Sequence, residues 1–370
     1  MDPRHVLVTG ATGFVGAALV AELLEQTDAR VTCLVRSRPG IAANDRLHRH
    51  LRQTIQDYGL THLDDTLAER VTAAVGDVTD PKLARIADDV EHVDAIWHSA
   101  ASLKYRDNDA AEIRLHNVEG TRHVVELAHA LRATEFNHIS TAYVAGRRSG
   151  LIAEHAVPHG TVTNNQYEQS KIDAEELVAE SGLRVRMFRP SIVIGHSRTR
   201  RADSDAGVYG FLREMERFVS SAGDPSALPT LRIAAHTDTG LNLIPVDTVA
   251  SSAVAISMSP SPSEYFHLTN NHTALVRDAI PMVCEELGLP APTFTDDAES
   301  LSREDRLLNR YLDFYLPYLG GERSFDRTNT DAVVGHRCDH PIGPDEQRAI
   351  VVAWRDNISA IPEPAAACSS

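Results

Sequence analysis

Three observations predict an α/β protein built on a doubly wound parallel sheet, with a smaller C-terminal lid. Apolar runs of strand length alternate with amphipathic stretches of helix length from residue 6 to residue 190. The first such run, Val6 to Val8, breaks into three glycines spaced by threes, Gly10, Gly13 and Gly16. Beyond Pro190 the regular alternation weakens. The expected division is therefore a dinucleotide-binding core over 1–195 and a mixed region over 196–361. That mixed region is read as a substrate-binding lid with returns to the core at about 242–270, and 362–370 as a flexible tail.

The stretch V-L-V-T-G-A-T-G-F-V-G-A-A, Val6 to Ala18, reads as strand, glycine turn and helix, with helical spacing through Leu19, Val20, Leu23 and Leu24. In that context the three glycines act differently. Gly10 permits the tight turn, Gly13 lets backbone approach a pyrophosphate, and Gly16 lets helix and strand pack closely. The helix N-terminus offers unpaired N–H groups and the positive end of its dipole to the phosphates. Gly10, Thr12, Gly13, Phe14 and Val15 are the expected cofactor contacts of a Rossmann-type core.

Bulk properties exclude several classes. A net charge of −16 argues against nonspecific binding to nucleic acid or an anionic membrane. No apolar run reaches the ~18 residues of a membrane span. Cys33, Cys284, Cys338 and Cys368 are too scattered for metal-type spacing, so no metal site is expected and cytosolic thiols are. The chain enters a strand almost at once, leaving no room for a secretory signal. Together these features place the protein in the cytoplasm, with a homodimer among the assemblies open to it.

The second strand, Val31 to Val35, is followed by Arg36 and Arg38, where an NAD-specific site would carry an acidic residue for the ribose 2′-hydroxyl. A guanidinium suits a 2′-phosphate instead, so NADPH is the expected cofactor, with Arg36 the contact. Asn44 to Leu60 reads as a helix inserted before the third strand, Val71 to Val75. Asp77 could accept from the adenine amino group with Val78 packed on the ring; a plain turn with Asp at a helix N-cap is the other reading. The fourth strand, Ala95 to His98, opens into Ala100 and Ala101, small enough to let backbone sit beside a cofactor. A helix over 109–130 carries Asn117, which needs a polar partner if buried.

The fifth strand runs into H-I-S-T-A-Y-V-A-G, His138 to Gly146, and 26 residues past Thr141 comes Tyr167 in Y-E-Q-S-K. Tyr167 and Lys171, four apart, share one helix face. The lysine is expected to draw the tyrosine's pKa down from ~10, so that the phenol gives a proton to a carbonyl oxygen as hydride reaches the carbon. A strand hydroxyl, Ser140 or Thr141, would bind the same oxygen. The sixth strand, Arg184 to Arg189, leads to Pro190, Ser191 and Ile192, whose backbone could line the nicotinamide. His196 to Arg201 is a basic run in an acidic chain; it is either a solvated loop or, through Arg198, Arg200 and Arg201, a site for a phosphate-bearing substrate arm. Asp247 is expected to cap a helix through Ile256, a strand to cover 265–269 and a helix 273–287.

T-G-x-x-G-x-x-G with Y-x-x-x-K resembles the extended short-chain dehydrogenase/reductases. The chain resembles, more narrowly, their thioester reductase and fatty acyl-CoA reductase branch, over roughly residues 5 to 270. Arg46 to Leu60 is like the R-L-x-x-x-L-x-x-Y-G-L insertion of carrier-protein thioester reductases. H-S-A-A-S-L-K-Y (98–105), N-V-E-G-T (117–121), I-S-T-A-Y-V-A-G (139–146) and I-P-V-D (244–247) are similar to acyl-CoA reductase segments, and F-D-R-T-N-T (325–330) to a late family segment. The resemblance selects Thr141, counted back from Gly146, as the catalytic hydroxyl. It implies NADPH-dependent reduction of an acyl thioester, borne by CoA or an acyl carrier protein, to an aldehyde, and leaves open whether reduction goes on to the alcohol. Two other readings stay open: a carbonyl reductase or alcohol dehydrogenase for a free small molecule, and a non-catalytic NADPH-binding regulator, against which the intact Thr141, Tyr167 and Lys171 argue.

Overall fold

Val6 and Val8 pack into one hydrophobic core and Leu7 into another on the opposite face, as period-two alternation in a doubly covered strand requires. They belong to β1 (His5–Thr9), an interior strand of a seven-stranded sheet in a computed structural model that describes residues 4–222 and 228–359. The other strands are β2 (Arg30–Val35), β3 (Val71–Val75), β4 (Ala95–His98), β5 (Glu135–Ile139), β6 (Arg184–Pro190) and β7 (Tyr265–Leu268). Their spatial order is β3-β2-β1-β4-β5-β6-β7, and every pairing is parallel. Chain order reverses between β1 and β4, which opens a crevice above their C-terminal ends.

Helices α1 (Phe14–Gln26), α2 (Ala43–Tyr58) and α5 (Val246–Met258) cover one face; α3 (Gly120–Ala130) and α4 (Gln166–Ala179) cover the other. The insertion helix α2 stops where Gly59 takes the left-handed conformation, φ 73°. The helix expected over 109–130 is interrupted by a π-turn, Leu115–Glu119, that carries Asn117. Two expectations need correction. Asp247 lies in the first turn of α5 but does not cap it; its carboxylate accepts from the Ser197 N–H at 2.8 Å and hydroxyl at 2.6 Å. The helix expected from 273 begins at Val276, because Ala274–Leu275 pairs antiparallel with Gly240–Leu241.

The C-terminal part has a core of its own, in which Leu212, Met215, Ile233, Ile280, Leu308 and Trp354 meet. The chain returns to the core twice. Leu243–Pro245 pairs with Ile192–Ile194 and leads into α5 and β7. Later, Arg323–Phe325 pairs parallel with Gly150–Ile152, a short strand between β5 and α4. Buried Glu154 locks this second return, taking hydrogen bonds from His267 N, Asn329 N and the Thr330 hydroxyl at 2.6, 2.5 and 2.6 Å. Burial raises its carboxyl and these donors pull it back. The stretch 362–370, with Cys368, lies outside the described residues.

Candidate active site

The glycine turn is closed by backbone contacts that side chains would destroy. A Cβ on Gly10, already at φ +74°, would sit 2.7 Å from Ala100 N, and one on Gly16 2.1 Å from Gly10 O. The turn, the loop after β4 and the start of α1 are therefore pressed together at the sheet's switch point. Gly13 occupies the N-cap of α1 without a side-chain cap, so the first N–H groups of the helix face the crevice. Thr12 is exposed, and Phe14 and Val15 are half-buried. Ala100 N donates to the Thr9 hydroxyl at 3.2 Å, which fixes the Ala100–Ala101 segment beside the turn. This cradle fits a pyrophosphate, as a helix N-terminus with glycine on both sides does.

Arg36 and Arg38 are exposed at the end of β2, and a third guanidinium joins them. Arg46, in the first turns of α2, donates from Nη2 to the Arg36 carbonyl at 2.5 Å, while its buried Nε has no partner. Burial, then Arg38 and Arg36, lower its pKa. Among the described residues none of these three arginines makes a salt bridge. Such a group of cations without salt bridges suits a phosphate. Sequence reading overlooked Arg46; its signal was the Arg that opens the R-L insertion.

Asp77 does not cap a helix. Its Oδ1 closes a turn, accepting from the Thr79 N–H and hydroxyl, both at 2.9 Å. Burial raises its carboxyl, but these bonds and Arg36 bring it below the ordinary value. Val78 packs against α3, where a Cβ on Gly120 would lie 3.2 Å from it. Pro190 ends β6 opposite Leu268, Ser191 donates from its hydroxyl to Asn242 at 2.7 Å, and Ile192 pairs with Leu243.

Thr141 follows β5 and caps a short turn, accepting from Tyr143 N at 3.2 Å. Lys171, 3% exposed, donates from Nζ to the Ile139 carbonyl at 2.7 Å, so α4 is anchored two residues before Thr141. Tyr167 lies one turn N-terminal on the same face. Burial lowers Lys171 to about 8, with Glu175 opposing. The expected depression of Tyr167 is corrected: burial, then the Glu168 charge, push its phenol above the ordinary value. Desolvation governs here, and a phenol so placed stays protonated.

Three polar contacts support this arrangement; the need of Asn117 for a polar partner was legible in the sequence, the other two were not. Asn117 ties the β4 loop to α4, accepting from Ser102 N at 2.7 Å and donating to Ser102 O and the Ser170 hydroxyl at 3.0 and 2.9 Å. Glu175 pairs with Arg189 through two bonds, 2.9 and 2.6 Å, both residues being buried. Glu168, beside Tyr167 and fully buried, accepts from the Tyr318 hydroxyl at 2.7 Å, which binds the C-terminal part to the start of α4. The basic run is less free than its charge suggests. Arg200 is engaged by Glu346 at 3.1 and 2.8 Å, while Arg198 is exposed. Among the described residues no group of three His, Cys, Asp or Glu could hold a metal ion, and no helix is long and apolar enough to cross a membrane.

Residues 8–253 match the family model described as NAD_binding_4, Male sterility protein. Isonitrile lipopeptide synthase from Streptomyces coeruleorubidus is 34% identical over 270 residues, 70% of this chain and 17% of that protein. Fatty acyl-CoA reductase 1 from Mus musculus is 28% identical over 288 residues, 69% of this chain and 54% of the other. The chain thus spans only part of the length of these relatives. The crystal structure of the terminal R domain from the myxalamid PKS-NRPS biosynthetic pathway superposes with a TM-score of 0.73 at 27% identity, covering 96% of this chain and 92% of that one.

Proposed function

The chain belongs to the Male sterility protein family, as an NAD(P)-dependent reductase of the extended short-chain type related to thioester reductase domains, and we propose that it uses NADPH to reduce an acyl thioester to an aldehyde. The observation that carries the chemistry is Lys171, buried and anchored to the Ile139 carbonyl, one helical turn from Tyr167 and held at the strand end two residues before Thr141. The likeness to a terminal R domain over nearly the whole chain supports the substrate class.

The nicotinamide, when bound, supplies hydride to the carbonyl carbon. The residues do the rest. Thr141 and Tyr167 hold the carbonyl oxygen where negative charge develops, and Tyr167 delivers the proton. Lys171, one helical turn along α4, supplies the positive charge that stabilises the phenolate that forms. The glycine turn and α1 N-terminus orient the pyrophosphate, with Ala100 and Ala101 beside it, and Asp77 and Val78 flank the adenine. Arg36 and Arg46 grip the 2′-phosphate, and Pro190, Ser191 and Ile192 line the nicotinamide. The thiol leaves when the tetrahedral adduct collapses, so each acyl group consumes one hydride and one proton.

Arg198 is the exposed cation best suited to a phosphopantetheine phosphate, on CoA or a carrier protein; Arg201 lies in the same loop. The engagement of Arg200 by Glu346 removes one charge from that patch and favours a second reading, reduction of an uncharged free aldehyde or ketone. NADPH oxidation against panels of acyl-CoA, acyl carrier protein, free aldehyde and ketone separates the two. Turnover of ketones with none of the thioesters refutes the first.

A further inference from the structure

Tyr167 is flanked by two segments that reach it from elsewhere in the chain. Before it, Gln166 donates from Nε2 to Asp107, in the loop after β4, at 3.1 Å. After it, Glu168 accepts from the Tyr318 hydroxyl, which in turn accepts from Asn165 Nδ2 at 2.7 Å. The two segments meet each other through a ring pair. Tyr105 of the loop stacks on Phe314, with centroids 3.7 Å apart and planes 28° from parallel. The row continues from there. Phe314 lies 5.6 Å from Tyr318, and Tyr318 stands edge-to-face with Tyr143 at 5.0 Å. Tyr143 comes two residues after Thr141, and its N–H donates to the Thr141 hydroxyl. A line of four rings therefore runs from the loop after β4 to the neighbourhood of the oxygen-binding hydroxyl.

Ordinary core packing does not account for this row. The aromatic side chains that fill the sheet, Trp97, Phe136, Phe188 and Phe266, are all 0% exposed. The four rings of the row are only half-buried and keep part of their surface open. Leu103, two residues before Tyr105, is 56% exposed and extends the apolar surface. Open apolar surface continuous with a reactive centre suits the apolar part of a ligand. Most of the row is held before a ligand arrives. Tyr315 meets Phe314 edge-to-face at 4.9 Å and buried Phe211 at 5.5 Å. A Cβ on Gly210, in the helix Val208–Ala222, would lie 2.2 Å from the Tyr315 hydroxyl, so the glycine makes room for this backing ring. Tyr318 is pinned by Glu168 and Asn165. Tyr105 lies on backbone without regular structure, so it is the member that gives way when the stacked pair parts.

We infer that this row is the acyl subsite, and that Tyr105 and Phe314 form a gate that selects a flat apolar acyl group, aryl or conjugated, over a saturated one of the same skeleton. The inference rests on the reading of Thr141 and Tyr167 as the groups that hold the carbonyl oxygen. With the oxygen there, the acyl group extends along the rings, because Tyr143 adjoins Thr141 and Tyr318 is bound to the residue after Tyr167. A flat ring that enters between Tyr105 and Phe314 exchanges one stacked contact for two. A puckered, saturated ring has no π-face to offer either of them and forgoes this gain. Aromatic pairing adds roughly two- to twelvefold in affinity beyond plain burial. Tyr105 and Phe314 govern which acyl group is taken; no proton or hydride passes through them.

Benzaldehyde and cyclohexanecarbaldehyde share a carbon skeleton and differ in flatness, so the ratio of their kcat/KM values reads the gate. Comparing that ratio between wild type and variant cancels the intrinsic reactivity of the two carbonyls. Phe314→Leu and Tyr105→Leu should each lower the preference for benzaldehyde by roughly two- to twelvefold, mainly through its KM, and leave the NADPH Kd unchanged. A wild-type ratio in both variants, or an equal loss of kcat on both aldehydes, overturns the inference. Should the variants fail to fold, or the wild type reduce neither aldehyde, calorimetric titration of the NADPH-loaded wild type decides: benzamide should bind more tightly than cyclohexanecarboxamide, and equal or reversed affinities refute the gate. Tyr167→Phe is the control, because wild-type turnover there would mean that the site reading has failed rather than the subsite. The same two acyl groups are also offered as CoA thioesters. A flat-ring preference among aldehydes, with no thioester turned over, would remove the thioester reading and keep the subsite.

Discussion

Replacing Arg46 by Gln should weaken NADPH binding and leave NADH nearly unchanged. Arg36, Arg38 and Arg46 gather at the end of β2 without a salt-bridge partner among the described residues, and Arg46 keeps an unpartnered, buried Nε. Cations assembled this way gain when a dianion arrives. One charge-assisted hydrogen bond contributes about 1.5–3 kcal/mol, which is roughly 10- to 150-fold in Kd. The fold should hardly notice: losing the bond to the Arg36 carbonyl costs about 0.5–1.5 kcal/mol, and relief of repulsion from Arg36 and Arg38 offsets part of it. Fluorescence titration with both cofactors at low and high salt measures the effect. The NADPH preference of the wild type should narrow at high salt, since exposed charges are screened beyond about 10 Å at 0.1 M. Equal losses for NADPH and NADH, or equal affinity of the wild type for the two, would refute the reasoning.

Tyr167→Phe should keep the fold and NADPH binding and lose turnover by on the order of 10²-fold or more, and Thr141→Ala should be impaired more than Ser140→Ala; the opposite order in steady-state assays would move the oxygen-binding hydroxyl to Ser140. Because burial lowers Lys171 to about 8, the rate of reduction should fall as pH rises through that value, and a flat profile from pH 7 to 9 would count against the ammonium's role. The same shift makes stability rise with pH between about 8 and the unfolded value near 10.4, because there only the unfolded chain holds the proton. Glu175→Ala strands Arg189 in the interior and should cost about 3–5 kcal/mol in urea unfolding; a loss below 1 kcal/mol would show the pair to be solvated. Arg198→Ser should raise KM for acyl-CoA at low salt and leave that for an uncharged aldehyde unchanged, and equal effects on both substrates would exclude a phosphate contact.

Local rules determined most of the core from sequence. β3 and β4 fall at Val71–Val75 and Ala95–His98, and the glycine turn falls where its spacing placed it. These features depend on period, on backbone freedom and on neighbours in the chain. Tyr167 and Lys171 were legible because four residues of helix bring them to one face whatever else the fold does. Contacts between distant segments were not legible. Arg46 meets Arg36 only because α2 packs back on the sheet, Glu168 meets Tyr318 across 150 residues, and Glu154 gathers donors from β7 and from 329–330. The charge of Arg200 was visible, whereas its pairing with Glu346 was not. Residue types alone also misjudged Tyr167, where sequence spacing suggested a lysine-lowered pKa and burial raised it. Desolvation is a property of everything packed around a group. The sequence therefore settled which residues lie along most elements of the core, and tertiary packing decided which charges are open, which are paired and which protons are held.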